Sequence, residues 1–321
     1  MGLLALVGAC SSGDAPAASD AARAGSATAA APTPSTTEVG TTPTVPAGGY
    51  DVRTRTETLV DATRATPELE GTGVAASDER TLVTTFTYPD AAGPFPLIAF
   101  SHGNGGHPRK FSQLFEAWAA AGFVVVAPTF PLSNDEVPGS TSVFDLSNQP
   151  GDVSHAITAA LRMNGERGSF LEARVDPDQI GVGGMSLGGA TTYMLAFDRC
   201  CRDPRVDAVI VMDGYHPDFD GMDLTQGLPL LILHADADPV LPYTQATEAF
   251  AAASPPKYLV TIHEDVHSTP YEDAPDPADE MVLATTTAFW RLYLAHDDGA
   301  AADLTNRSSV DGLTTVVEEP A

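Results

Sequence analysis

The feature that most constrains this chain is the run Gly184-Met-Ser-Leu-Gly188, which directly follows the apolar segment 179–183. Helix-forming residues then continue from Leu187 to Phe197. A serine flanked by glycines between a strand and a helix is typical of a nucleophile elbow, a strained turn that exposes the serine hydroxyl. Because the N-terminus of a helix carries unpaired N–H groups, negative charge that develops beside Ser186 is stabilised there. The motif predicts that Ser186 is a catalytic nucleophile.

The segments around this motif alternate between short apolar runs and amphipathic stretches. The apolar runs predict strands at 56–61, 81–88, 95–100, 123–127, 179–183, 207–212, 228–234 and 257–263. The helical periodicities predict helices at 111–121, 152–163, 187–197, 244–252 and 279–295. This alternation predicts the α/β class, with a mostly parallel central sheet and helices on both faces. The segment 213–227 is too short for an inserted domain, so we expect no large cap domain.

A serine nucleophile needs a histidine that takes its proton and a carboxylate that holds the histidine, and these groups belong at the carboxyl ends of strands. The predicted strand that ends at His234 runs directly into an acidic turn. Asp238 is our first candidate for the carboxylate because its Asp-Pro turn can aim the side chain back over the sheet. Asp236 and Asp213, which follows the preceding strand, remain alternatives.

The candidate base is His267, in the loop past the last predicted strand. His263 lies inside that strand, where a structural role is the more common one. The order serine, acid, histidine along the chain is the order expected of an open parallel sheet of this type. For the oxyanion we predict two backbone N–H donors, that of Leu187 and that of Asn104 in the glycine-rich loop 101–106.

Three pieces of the sequence resemble the α/β-hydrolase superfamily over residues 56–295: Pro96-Leu-Ile-Ala-Phe-Ser-His-Gly103, Gly184-Met-Ser-Leu-Gly-Gly189 and His234-Ala-Asp-Ala-Asp-Pro-Val240. The chain is similar to the branch with dienelactone hydrolase-like, chlorophyllase-like and platelet-activating-factor acetylhydrolase-like proteins and cutinase-type polyester hydrolases. Dienelactone hydrolases proper have a cysteine where Ser186 stands, so the match favours the esterases. The resemblance implies an α/β-hydrolase fold and carboxylic-ester hydrolysis through an acyl-enzyme, without a metal or an organic cofactor.

The expected substrate is a small-molecule, lipid or polymeric ester in an open cleft, with the stretch 129–150 as one wall. Acyl transfer to another acceptor and amide or peptide cleavage are alternatives that use the same triad, and a non-catalytic binding protein is a third. The net charge of −27, from 16 basic and 43 acidic residues, repels phosphate-rich partners and excludes nucleic-acid binding. We expect a monomer.

The N-terminus predicts export. The apolar run that ends in Val7-Gly-Ala-Cys10 resembles a bacterial lipobox, which predicts a signal remnant at 1–10, lipidation of Cys10 and a surface-anchored or secreted protein. The lipid anchor is the only membrane contact we expect. Residues 11–48, rich in Ala, Ser, Thr and Pro, predict a disordered linker; 49–297 form the predicted catalytic domain, and 298–321 a flexible tail.

Two further cysteines, Cys200 and Cys201, are adjacent. Neighbouring Cα atoms stand about 3.8 Å apart, which is below the usual disulfide range. We therefore favour two buried thiols over a vicinal disulfide. Two adjacent sulfurs also lack the ligand spacing of a zinc site.

Overall fold

The computed structural model describes residues 45–217 and 221–320. The predicted signal remnant, Cys10 and most of the predicted linker lie outside these residues. Nine strands of the described residues form one sheet: β1 (Val52–Asp61), β2 (Arg80–Pro89), β3 (Phe95–Ser101), β4 (Val124–Thr129), β5 (Val175–Met185), β6 (Ala208–Met212), β7 (Leu230–Ala235), β8 (Lys257–Ile262) and β9 (Thr314–Glu319).

The sheet has the order β1-β2-β4-β3-β5-β6-β7-β8-β9. The six strands from β4 to β8 in this order are parallel to one another. The outer strands β1, β2 and β9 run antiparallel to their neighbours. Strands β3, β7 and β8 are mostly apolar and buried at every position, as expected for a parallel sheet that is covered on both faces.

Six α-helices connect or cover the strands: α1 (Ser112–Ala120), α2 (Gln149–Gly165), α3 (Leu187–Phe197), α4 (Thr244–Ala252), α5 (Asp279–Tyr293) and α6 (Ala300–Ser308) among the described residues. One core holds side chains of α2, α3 and α4 with one face of the sheet. A second core holds side chains of α1, α5 and α6 with the other face. The predicted class, an α/β-hydrolase sheet with helices on both faces, is confirmed.

The connection between β6 and β7, residues 213–229, contains only the short 3₁₀ helix Leu224–Gln226 where it is described, in agreement with the predicted lack of a large cap domain. No helix among the described residues is long and apolar enough to cross a bilayer.

Strand β4 continues one residue past Pro128, where the sequence predicted its end. Beyond Val126 this strand pairs with β2 but no longer with β3. A residue that lacks an N–H group is tolerated where a strand has lost one of its neighbours.

The prediction of a flexible tail over 298–321 is wrong, because this segment contains α6 and β9. Leu304 of α6 is buried in the core beneath α5, and Arg291 of α5 pairs with Asp303 of α6 at 3.2 Å. Strand β9 pairs antiparallel with β8 over the whole of both strands, Lys257↔Glu319 to Ile262↔Thr314. Strand β9 forms because its backbone pairs with the N–H and C=O groups at the edge of β8, which would otherwise be unpaired. Most of the side chains of β9 are exposed to solvent.

The preference for two buried thiols is also wrong. The sulfur atoms of Cys200 and Cys201 are bonded to each other, and neither residue is buried. Both cysteines lie in the turn after α3, where Asp198 caps the chain by accepting the N–H of Cys200 at 3.0 Å. A surface turn has no core into which the sulfur atoms could pack.

Candidate active site

Four parallel strands bring the predicted site residues to one edge of the sheet. Ser186 directly follows β5, Asp213 follows β6, Asp238 lies three residues past β7, and His267 lies in the loop after β8. Because the carboxyl ends of parallel strands share one edge, residues far apart in sequence meet there.

Ser186 adopts the backbone conformation of a strained turn. Its φ of 56° and ψ of −119° lie where L-residues are rare, and its N–H donates to the carbonyl of Met212 at 3.0 Å. Helix α3 begins at the next residue, Leu187. The turn leaves the Ser186 side chain at the helix N-terminus and half-buried, so a substrate can reach it.

His267 joins the serine to the carboxylate. Its Nε2 lies 2.7 Å from Ser186 Oγ, and its Nδ1 lies 2.6 Å from Asp238 Oδ2. An ionised carboxylate only accepts hydrogen bonds, so Nδ1–H donates to Asp238 and Nε2 is left to accept the serine O–H. The other oxygen, Asp238 Oδ1, accepts the N–H groups of Val240 and Leu241 at 2.7 and 2.9 Å. The imidazole is therefore held in the tautomer that removes a proton from a hydroxyl.

The two alternative carboxylates occupy different positions. Asp236 Oδ2 pairs with His263 Nδ1 at 2.7 Å, which is a separate pair on the surface. Asp213 lies inside the site: its side chain is fully buried, and its Oδ2 stands 3.9 Å from His267 Nδ1. Burial, together with a smaller contribution from the neighbouring charge of Asp238, raises the pKa of Asp213 to about 7.

The glycine-rich loop after β3 lies against the nucleophile. A Cβ added to Gly103 would stand 3.0 Å from the Cβ of Ser186, so a larger residue here would require its neighbours to move by a few tenths of an ångström. Gly105 and Gly106 donate their N–H groups to Ser133 and Gly103, whereas the N–H of Asn104 has no partner in the described part of the chain.

The second predicted oxyanion donor, Leu187, is the first residue of α3, so its N–H has no carbonyl one turn earlier to bond. Leu187 directly follows Ser186, and Asn104 directly follows Gly103, which packs against Ser186.

His102 fixes the base of the glycine-rich loop. Its Nε2 accepts the N–H of Phe130 at 3.0 Å, which leaves Nδ1–H to donate to the carbonyl of Gly103 at 2.8 Å. Burial lowers the pKa of His102 to about 4, so the ring stays neutral and keeps both bonds near neutral pH. The histidine therefore holds the loop in place.

A buried ionic cluster holds the predicted wall beside the site. The guanidinium of Arg80 on β2 lies 2.6 Å from Asp152 of α2 and 2.8 Å from Asp145. Asp145 belongs to the 3₁₀ helix Val143–Ser147, in which Phe144 is 76% exposed. The cluster anchors the segment that the sequence assigned to the wall of the cleft. Phe144 of this segment is left exposed to solvent.

A family model described as Chlorophyllase matches residues 63–236, just over half of the chain. The chain belongs to this family. It is thereby placed in the serine-esterase branch of the α/β-hydrolase superfamily, as the sequence resemblance implied. The matched region contains Asn104, Ser186, Leu187 and Asp213; Asp238 and His267 lie beyond it.

Curated relatives of this chlorophyllase-family protein are named cutinases. Cutinase est1 of Thermobifida alba is 30% identical over 172 residues, which are 53% of this chain and 52% of that protein. Cutinase 1 of Thermobifida cellulosilytica is 27% identical over 214 residues, 66% of this chain and 74% of that protein. Cutinase of Thermobifida fusca is 26% identical over 214 residues, 66% of this chain and 64% of that protein. The chain thus spans about half the length of the first of these relatives.

Within the described part of this chlorophyllase-family protein, two groups of side chains have the spacing of metal ligands. Asp213, Asp238 and His267 each offer one ligand atom, and these atoms lie within 4.8 Å of one another. In this group His267 Nδ1 already bonds Asp238. Asp198, Cys200 and Cys201 form the second group, in which the two sulfur atoms are bonded to each other and are not thiolates.

Sequence reasoning missed one polar residue of the site, Tyr271. Its side chain is buried, and its O–H donates to Asp213 Oδ1 at 3.1 Å. Its position four residues after His267 is the only signal in the sequence, and it does not separate a site residue from an ordinary core tyrosine.

Proposed function

We propose that this protein hydrolyses carboxylic esters through an acyl-enzyme. Ser186 is the nucleophile, His267 the general base and acid, and Asp238 the carboxylate that orients the imidazole. The observation that carries the proposal is the continuous pair of hydrogen bonds from Asp238 through His267 to Ser186, at 2.6 and 2.7 Å. Membership of the Chlorophyllase family and the similarity to proteins named cutinases support the same chemistry.

In the first half of the reaction, His267 Nε2 takes the Ser186 proton while Oγ attacks the ester carbonyl carbon. The resulting oxyanion accepts hydrogen bonds from the N–H groups of Asn104 and Leu187. The imidazolium then gives its proton to the leaving alkoxide, and the acyl group stays on Ser186. In the second half, water loses a proton to His267 and attacks the acyl carbon. The bond between the acyl carbon and Ser186 Oγ then breaks, the imidazolium returns its proton to Oγ, and the acid is released.

We propose lipid or polymeric esters as the substrate class. Phe144 and Val143 are exposed on the wall segment, and Val240 and Val266 are exposed beside Asp238 and His267. Apolar side chains at the edge of an open site favour contact with an apolar surface. Hydrolysis of a polyester film and of a triglyceride should fall in Phe144→Ser, while hydrolysis of p-nitrophenyl acetate should change little. An equal loss on all three substrates would contradict this assignment.

We also propose that the protein is exported and anchored by a lipid on Cys10, on the strength of the lipobox-like run 7–10. Expression in a bacterial host with a labelled fatty acid should give a labelled membrane-associated protein, and Cys10→Ser should abolish the label. The sequence also leads us to propose a monomer, which size-exclusion chromatography with light scattering can test.

The decisive experiment uses a fluorophosphonate probe together with turnover of p-nitrophenyl esters. Ser186→Ala should lose both the covalent label and about 10⁶-fold of turnover. Ser309→Ala, an exposed serine at the end of α6, is the matched control and should retain both. Undiminished labelling or turnover in Ser186→Ala would overturn the proposal. Labelling without ester turnover would instead favour acyl transfer or amide cleavage by the same residues.

A further inference from the structure

Asp213 occupies an unusual position beside the histidine. It follows β6, its backbone φ of 41° lies in the left-handed region, and its side chain is 0% exposed. Its Oδ1 accepts the N–H of Ala235 at 2.8 Å and the O–H of Tyr271 at 3.1 Å. Its Oδ2 accepts the N–H of Ser268 at 3.2 Å. The carboxyl group therefore ties the end of β6 to the loop that carries His267.

The hydrogen bonds to Asp213 hold the loop that carries His267. They lie on the Nδ1 side of the imidazole, whereas Ser186 lies on the Nε2 side. Ser268 follows His267 directly and has a φ of 65°, a conformation that is unfavourable for a serine. The N–H of Tyr271 donates to the carbonyl of Ser268 at 3.0 Å, so both residues belong to one tight turn. Two of the three hydrogen bonds to Asp213 come from this turn, which fixes its position relative to the sheet.

The same carboxyl group also faces the imidazole. Asp213 Oδ2 lies 3.9 Å from His267 Nδ1, the nitrogen that Asp238 contacts at 2.6 Å. Two carboxyl groups thus stand at one nitrogen of a single histidine. A charge at about 4 Å in a poorly hydrated site interacts strongly with a developing imidazolium.

We propose that Asp213 is a positioning residue of this active site, a second carboxyl group that fixes the histidine loop and whose charge supports the His267 imidazolium. The inference rests on the proposed ester hydrolysis. In this proposal Asp238 and Asp213 together stabilise the His267 imidazolium, which a single triad carboxylate would otherwise stabilise alone.

The charge of Asp213 changes near neutral pH, because burial and, to a smaller extent, Asp238 raise its pKa to about 7. The ionisable groups that face it are Asp238 and His234 from β7 and its turn, and His267 and Tyr271 from the loop after β8. Burial raises the pKa of Tyr271 well above its usual value, so this O–H remains a donor throughout. Burial lowers the pKa of His234, which favours its neutral form. Asp213 is therefore neutral in acid and negative in base.

The test compares kcat/KM for a soluble p-nitrophenyl ester in wild type and Asp213→Asn between about pH 5 and about pH 9. A purely structural role would lower activity by the same factor at every pH. The proposed role predicts that the wild-type-to-variant ratio rises about tenfold as Asp213 ionises, equivalent to about one pKa unit of support for the imidazolium. A ratio that stays constant across this range overturns the proposal.

A second variant keeps the test decisive if Asp213→Asn does not fold. Tyr271→Phe keeps the carboxyl group but removes one donor to it, which makes ionisation harder. The alkaline rise in kcat/KM should therefore move to higher pH in Tyr271→Phe. Tyr258→Phe, whose O–H bonds Tyr293 instead at 2.7 Å, is the matched control and should keep the wild-type profile. An unmoved profile in Tyr271→Phe overturns the proposal.

The fluorophosphonate label separates the two proposals. Both variants should still react with the probe at Ser186, since Asp238 and His267 are intact in them. A wild-type-to-variant ratio that does not change with pH, with labelling retained, refutes only the role of Asp213, whereas absence of labelling in wild type refutes the ester hydrolysis on which it rests.

Discussion

The close approach of α3 to β3 makes Gly188→Ala a quantitative test of the nucleophile elbow. A Cβ at this position would stand 2.0 Å from the carbonyl oxygen of Ser101 and 2.7 Å from that of His102. The backbones must separate by about 1.4 Å to reach the 3.4 Å of an ordinary contact. Overpacking of this kind costs about 1–3 kcal/mol, and each kcal/mol lowers the Tm by about 2–4 °C in a domain of this size.

The effect on activity should exceed the effect on stability. The displaced residues include Ser186 and the N–H of Leu187, and a misplacement of about 1 Å at a reacting centre costs about 100-fold. We expect Gly188→Ala to lower kcat/KM for a p-nitrophenyl ester about 100-fold, with a Tm lowered by roughly 2–12 °C and an unchanged far-ultraviolet circular dichroism spectrum.

Gly165→Ala is the matched control. This glycine ends α2, and a Cβ there would meet nothing within 4 Å. Alanine is the better helix former, so this variant should be stabilised by as much as about 1 kcal/mol, with wild-type activity. If Gly188→Ala kept both the Tm and the kcat/KM of wild type, the packing argument for the elbow would be refuted.

Three further predictions follow from other contacts. Arg80→Met should lower the free energy of unfolding in urea by about 3–5 kcal/mol because it removes the cation that pairs with the buried Asp145 and leaves the buried Asp152 with Arg64. Arg53→Met, at an exposed pair, should give no measurable change. Asp213 has a pKa of about 7 in the native state against its ordinary value of 3.8, so between these values the native state binds a proton that the unfolded chain does not. The wild-type free energy of unfolding should therefore fall as pH rises from about 4 to about 7, and Asp213→Asn should lack this fall. The bond between Cys200 and Cys201 closes the shortest possible loop, so dithiothreitol should change neither the Tm nor the turnover measurably, and a loss of several degrees would show that it constrains the fold.

Elements with strong local signals were predictable from the sequence. The bounds of α3 and α4, Leu187–Phe197 and Thr244–Ala252, are those that the periodicity and the flanking residues predicted. Strand β9 was not predictable, since Thr314-Thr-Val-Val-Glu-Glu319 is polar and mostly exposed. It becomes a strand because β8 presents an edge that must be paired, and the sequence of β9 itself does not show this edge.

The acid of the site illustrates the same limit. Asp213, Asp236 and Asp238 all follow the ends of neighbouring strands, and sequence order does not separate them. The register of β7 against β8, Ala235↔Ile262, and the turn that offers two N–H groups to Asp238 direct this carboxylate to His267. The same packing brings Asp213 Oδ2 to 3.9 Å from that nitrogen, a second contact that the position of Asp213 in the sequence does not reveal.

The sequence by itself determined the α/β alternation and the strained serine turn, because periodicity and glycine placement act over a few neighbouring residues. The tertiary structure alone decided which carboxyl groups reach His267, how closely Gly103 approaches the serine, and that the C-terminal segment completes the sheet. Ser186 and His267 lie 81 residues apart, and their 2.7 Å contact exists only after strand order and register are fixed. These contacts depend on backbone positions across the whole sheet, which no local run of residues specifies.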